Sequence, residues 1–167
     1  MISLRSIGSR VMALAVSFWR STHATSAVEF AIVALPFFML VLCILQLGVF
    51  YFAQSALDTG VLKTAQTLYV GFRTGTTATL PSASSLKSTV ASNSGGMINN
   101  DGTLSVEIQP ITNLSGGTVA ITDGVINYGT TTSTLVLRAQ ATVVTFAPGF
   151  SVLAVASSSA IVRRQGT

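Results

Sequence analysis

In the first third of the chain a single carboxylate, Glu29, stands where charge is costly, at the entrance to a run over residues 30–45 that is apolar throughout, counting Pro36. A charged side chain at the centre of a bilayer costs roughly 2.5–3.5 kcal/mol, and less toward the interface. Glu29 therefore either reaches headgroup water as a tolerated interfacial acid or has a partner. A cut after Ala24 would leave Thr25 with a free α-amine four positions before Glu29, and residues at i and i+4 share a helix face. The acid could then neutralise its own N-terminus or that of a neighbouring subunit in a helical bundle, where a displaced pairing would set axial register.

Other reactive side chains are scarce. His23 is the sole histidine and Cys43 the sole cysteine, the latter inside the apolar run. Asp101, Glu107 and Asp123 have neither metal-ligand spacing nor a nucleophile partner. No enzyme activity, cofactor or metal site is expected. Asn99-Asn100-Asp101-Gly102 reads as a turn before a strand rather than a calcium loop, and Cys43 as a small apolar residue.

The element that must position Glu29 is a membrane-crossing helix. After Gln46 the apolar run resumes to Ala53, about 24 positions and ~36 Å of helix, enough for a ~30 Å hydrocarbon core with some tilt. A soluble chain of this size has too little mass to bury such a helix on every side. Pro36 is expected to kink the helix, with neighbours in an assembly satisfying the freed carbonyl. Phe50, Tyr51 and Phe52 read as an interfacial aromatic belt.

Charge sets orientation. Charged residues make up 8% of the chain, and the net charge of +4 comes largely from its ends. Arg5, Arg10 and Arg20 precede the span, and Arg163 and Arg164 close the chain. With no acid before Glu29, the N-terminus should remain cytoplasmic, in a single-pass inner-membrane topology with the C-terminal domain periplasmic. No basic stripe remains in the middle for nucleic acid.

Beyond the span, Leu57, Val61, Ala65 and Leu68 follow helical spacing, so the helix should continue outward as an amphipathic one and stop at Gly71. Pro81 through Val90 reads as a short second helix ending at Gly95-Gly96. Leu104, Val106 and Ile108, then Leu135, Leu137, Ala139, Ala141 and Val143, alternate as strands with one buried face, and residues 153–162 form a third candidate. Residues 113–133 read as a long loop with a weak hairpin pairing 119–121 with 125–127. The expected fold is α+β: a long N-terminal helix, a short helix and a small antiparallel sheet of three to four strands. Its divisions are a basic leader at 1–24, the long helix at 25–71 and an exported domain at 72–167.

The stretch from Ala24 through Pro36, with Ala27-Val28-Glu29-Phe30-Ala31 and Leu35-Pro36, resembles the TadE-like pilin-like proteins of bacterial tight-adherence (Tad or Flp) pilus systems. Gln46-Leu47-Gly48 and Gln54-Ser55-Ala56-Leu57 extend the similarity, with Gln46 where the family has an acid and Ala24 where it has glycine. A weaker echo lies at Ser157-Ser158-Ser159-Ala160-Ile161-Val162-Arg163. The resemblance implies a minor pilin or pseudopilin, processed between Ala24 and Thr25 by a prepilin peptidase. It would pair through Glu29 with other Tad pilins and pseudopilins, engage the pilus assembly platform and support pilus biogenesis, secretion and adhesion. Two competing readings stand beside it. One is an anchored adhesin or ligand-binding envelope protein that never enters a filament. The other treats residues 11–19 as a signal-peptide core, although nine residues reach only ~14 Å as a helix and suit a surface-lying segment better.

Overall fold

The computed structural model describes residues 22–74, 80–99, 102–114, 120–146 and 154–164. The leader through residue 21, and residues 100 and 101 of the expected turn, lie outside them. The elements run α1 (Thr22–Thr74), α2 (Ala83–Asn93), β1 (Leu104–Pro110), a 3-10 turn (Ile111–Leu114), β2 (Thr134–Thr142) and β3 (Val155–Arg163). The sheet is antiparallel in the order β1-β2-β3. This is the α+β layout expected from the sequence.

Contacts divide the chain after Ile44 into two compact units, so the second half of α1 folds with the sheet. In that unit Leu57, Val61, Ala65, Leu68 and Phe72 form one buried stripe, which packs with Leu86 and Val90 of α2 and with the inward residues of all three strands. Three- and four-residue spacing puts these side chains on a single helix face, and their burial removes them from water.

The helix passes the expected stop at Gly71 and ends at Thr74. A glycine in a helix interior costs about 1 kcal/mol. Burial of Phe72, with its ring edge-on to Tyr128 at 6.0 Å, offsets that cost. Arg73 also lies in the last turn, where a cation complements the helix dipole.

Helix α2 starts at Ala83, two residues after the expected start at Pro81, because Ser82 caps it. Ser82 is extended and its hydroxyl accepts the Ser85 N–H at 3.3 Å. Gly95 and Gly96, both at positive φ, follow its end. Where α1 and α2 meet, a Cβ on Gly60 would lie 2.7 Å from the carbonyl oxygen of Val90, so glycine is what permits the close approach. Thr64 donates to the Gly60 carbonyl at 2.8 Å and accepts from Asn93 at 3.1 Å, closing the same contact with a short polar chain.

Residue 119 of the expected weak hairpin lies outside the described residues, and 120–121 are not in a strand. Residues 122–127 instead run along the outer edge of β1, with a parallel bridge between Ile108 and Ile126. Gly124 N–H donates to Val106, Val125 carbonyl accepts from Ile108, and Asn127 N–H donates to Ile108. The otherwise open edge of β1 supplies a longer, better-aligned ladder than a hairpin in a Gly/Thr-rich loop could. That segment also buries Glu107, which alternation places on the solvent face. Its carboxylate accepts from Thr122 N–H at 2.9 Å and from Gln109, and Arg138 on β2 lies 3.8 Å away.

Candidate functional site: the N-terminal helix and its clamp to the sheet

The candidate surface is built on α1. Over residues 28–45 large apolar side chains point outward around the helix, among them Phe30 (72% exposed), Ile32, Leu35, Phe38 and Ile44. Among the described residues this helix is the one long and apolar enough to cross a membrane. A surface apolar on all sides is stable only in lipid or among similar helices.

Ala24 and Thr25 fall in the first turn of α1, and Glu29 follows one turn later. Thr25 and Glu29 therefore stand at i and i+4 on one helix. Glu29 is exposed, and among the described residues no cation pairs with it. The helix continues through Pro36. Cys43 is half-buried and free. Among the described residues no three His, Cys, Asp or Glu side chains gather as a metal site requires.

Two residues with little prominence in the sequence carry the attachment of α1 to the sheet. Gln46 is fully buried. Its amide donates to the Val144 carbonyl at 3.2 Å and accepts the Phe146 N–H at 2.7 Å. Two turns on, Gln54 donates to the Ser157 carbonyl at 2.8 Å and accepts the Ser157 N–H at 3.2 Å. Each amide thus acts as a one-residue strand partner. Because Ser157 spends both backbone groups on Gln54, alternation along the antiparallel ladder turns those of Val155, Ser157, Ser159 and Ile161 toward the same outer edge. The amides cover the edge at its start, and a shallow groove lined by Leu62, Tyr69, Val70, Ser159 and Ile161 continues along it. The signal was present in the sequence: a lone amide inside an apolar run needs a partner. Gln46 read instead as a substitution for the family's acid.

The far end of the sheet is tied to the last turn of α1. Arg164 lies 6.0 Å over the Phe72 ring, and its guanidinium donates to the carbonyls of Tyr128 (3.3 Å) and Gly129 (3.1 Å). The Tyr128 hydroxyl donates to the Pro81 carbonyl at 2.7 Å, and burial pushes its pKa up to about 12. Gly129 is at positive φ, and a Cβ there would meet the Ser133 hydroxyl at 2.6 Å. On the surface, Lys87 meets Asp123 at 2.6 Å, and that hydrogen bond holds the Asp123 carboxyl below the usual range.

No curated protein and no solved structure matches the chain. Residues 24–66 match the family described as TadE-like protein. The matched segment covers Glu29, the apolar run and both clamping glutamines and lies within α1, on the motifs around Glu29 that carry the resemblance.

Proposed function

We propose that the chain is a minor pilin or pseudopilin of a tight-adherence pilus, assembled through α1. The observation that carries this reading is the apolar surface of residues 28–45. It is exposed on all sides, bears one acid at its entrance, and lies within a TadE-like match that opens at Ala24. In this reading a prepilin peptidase cuts between Ala24 and Thr25 on the cytoplasmic side of the inner membrane. The Thr25 amine then pairs with Glu29 of its own or a neighbouring helix, and the small α+β domain faces the periplasm. Lateral exchange from lipid to neighbouring pilin helices costs little, because both environments are apolar. The assembly platform and other Tad pilins are the partners, and adhesion is the outcome for the cell. Pro36 would loosen the helix where neighbours pack.

The test is Glu29→Gln in the full chain. Membrane insertion should be kept or slightly improved, since a charge is removed from the span, while recovery in sheared filaments and crosslinking to pilins should fall. Unchanged recovery would remove the pairing role. A wild-type chain that stays wholly in the membrane fraction, with no crosslinks to pilins, would favour an anchored envelope protein instead.

A further inference from the structure

We propose that Val144 and Phe146, at the end of the sheet held by Gln46, dip into the lipid–water interface and give the folded domain a second membrane contact beside α1. The inference rests on the reading of α1 as a membrane span. Gln46 lies seven residues inside the outer end of the apolar run at Ala53, ~10 Å along the helix axis. Its amide holds the backbone of Val144 and Phe146 at that level. Val144 (67%) and Phe146 (59%) nonetheless turn outward, as do Leu45, Tyr51 and Phe52 of the same stretch of helix.

The polar accounting suits such a depth. Non-helical backbone is tolerated at the membrane only when its groups are satisfied. Here the Val144 carbonyl and Phe146 N–H are taken by Gln46, and Val143 N–H donates to Ala154 at 2.6 Å. The charge pattern agrees. No charged residue occurs between Arg138 and Arg163, or in α1 between Glu29 and Asp58, whereas Arg164 marks the opposite end of the sheet, beside Phe72. The occupant that fits an uncharged rim continuous with an apolar helix is lipid, with Phe146 acting as aromatic interfacial residues do.

The full chain, carrying Trp19→Phe so that each introduced tryptophan is the sole reporter, would be reconstituted into phosphatidylcholine vesicles with brominated acyl chains. Phe38→Trp reports on the span, Phe146→Trp on the rim and Ile161→Trp on the exposed face of β3. Val144→Trp replaces Phe146→Trp should the latter fail to fold. Bromide quenching and blue-shifted emission at positions 38 and 146, with neither at 161, is expected. Quenching at 38 but not at 146 or 144 would overturn the rim contact and leave the span intact. Absence of quenching at 38 would overturn the span and the rim together. A blue shift at 146 without bromide quenching, accompanied by Val144→Cys dimers in a Cys43→Ser background, would give the surface to a second copy and overturn the lipid assignment.

Discussion

Replacing Gln46 with leucine removes one side chain and strands two backbone groups. The Val144 carbonyl and the Phe146 N–H lose their partner at a part-buried site, where Gln46 is fully buried and Val144 and Phe146 are more than half exposed, so the figures that follow are upper bounds. A buried backbone group left unsatisfied costs about 1–3 kcal/mol, so the pair costs about 2–6 kcal/mol. Burying leucine in place of an amide returns about 1–2 kcal/mol, leaving a net loss of between about 0 and 5 kcal/mol. Gln54→Leu strips the same two kinds of bond from Ser157. That contact is exposed, so water replaces the amide and the loss stays under about 1 kcal/mol. The assay is thermal unfolding of the full chain in detergent micelles, followed by circular dichroism in the β region, with hydrogen exchange at the Phe146 and Ser157 amides as a local readout. Gln46→Leu should lower the midpoint well below that of Gln54→Leu and accelerate exchange at Phe146. Equal midpoints, or an unchanged Phe146 amide, would refute the claim that the buried amide holds the end of the sheet.

Gly60→Ala should destabilise the domain by about 1–2 kcal/mol in the same unfolding assay, because a methyl 2.7 Å from the Val90 carbonyl must part the two helices, and the helix-propensity gain of about 1 kcal/mol recovers only part of the loss. Asp123 has a folded pKa below its unfolded one, so the stability it contributes is present above the ordinary carboxyl value of 3.8 and is lost as pH falls from there through the folded pKa. Since the pair is on the surface, Lys87→Met should remove the larger part of that acid dependence, the Val106 and Gly124 N–H groups keeping the rest, at a cost under about 1 kcal/mol, read from midpoints at pH 6 and pH 3. Protease added to intact spheroplasts should digest the domain carrying the sheet, and protection until lysis would reverse the proposed orientation.

Periodicity made most of the fold legible. The stripe from Leu57 to Leu68, the short helix after Pro81, the paired glycines after α2 and the alternation of Leu104, Val106 and Ile108 are local signals, each decided within a few residues. What escaped depends on partners far along the chain. Gln46 and Gln54 meet residues about a hundred positions away, so the apolar surroundings could say that Gln46 needs a partner but not which one. Residues 125–127 carried enough strand character for pairing, and they lie along β1, an edge that no local pattern could point to. Glu107 obeyed alternation and was still buried, because the loop that covers it docks across the sheet. Of the site itself, the spacing of Thr25 and Glu29 and the apolar run were legible from residue types alone, since the energetic cost of an acid there does not depend on the rest of the fold.

The central claim is that the chain enters an assembly by the N-terminus of α1, and the mature N-terminus tests it most directly. Mass spectrometry of the chain recovered from sheared filaments and from membranes, combined with labelling of a cysteine placed at residue 3 in intact cells, reads both the cut and the side on which it is made. The account predicts a chain that starts at Thr25 and a leader shielded from external label. A mature chain that still begins at Met1, or a leader labelled from outside, would contradict it.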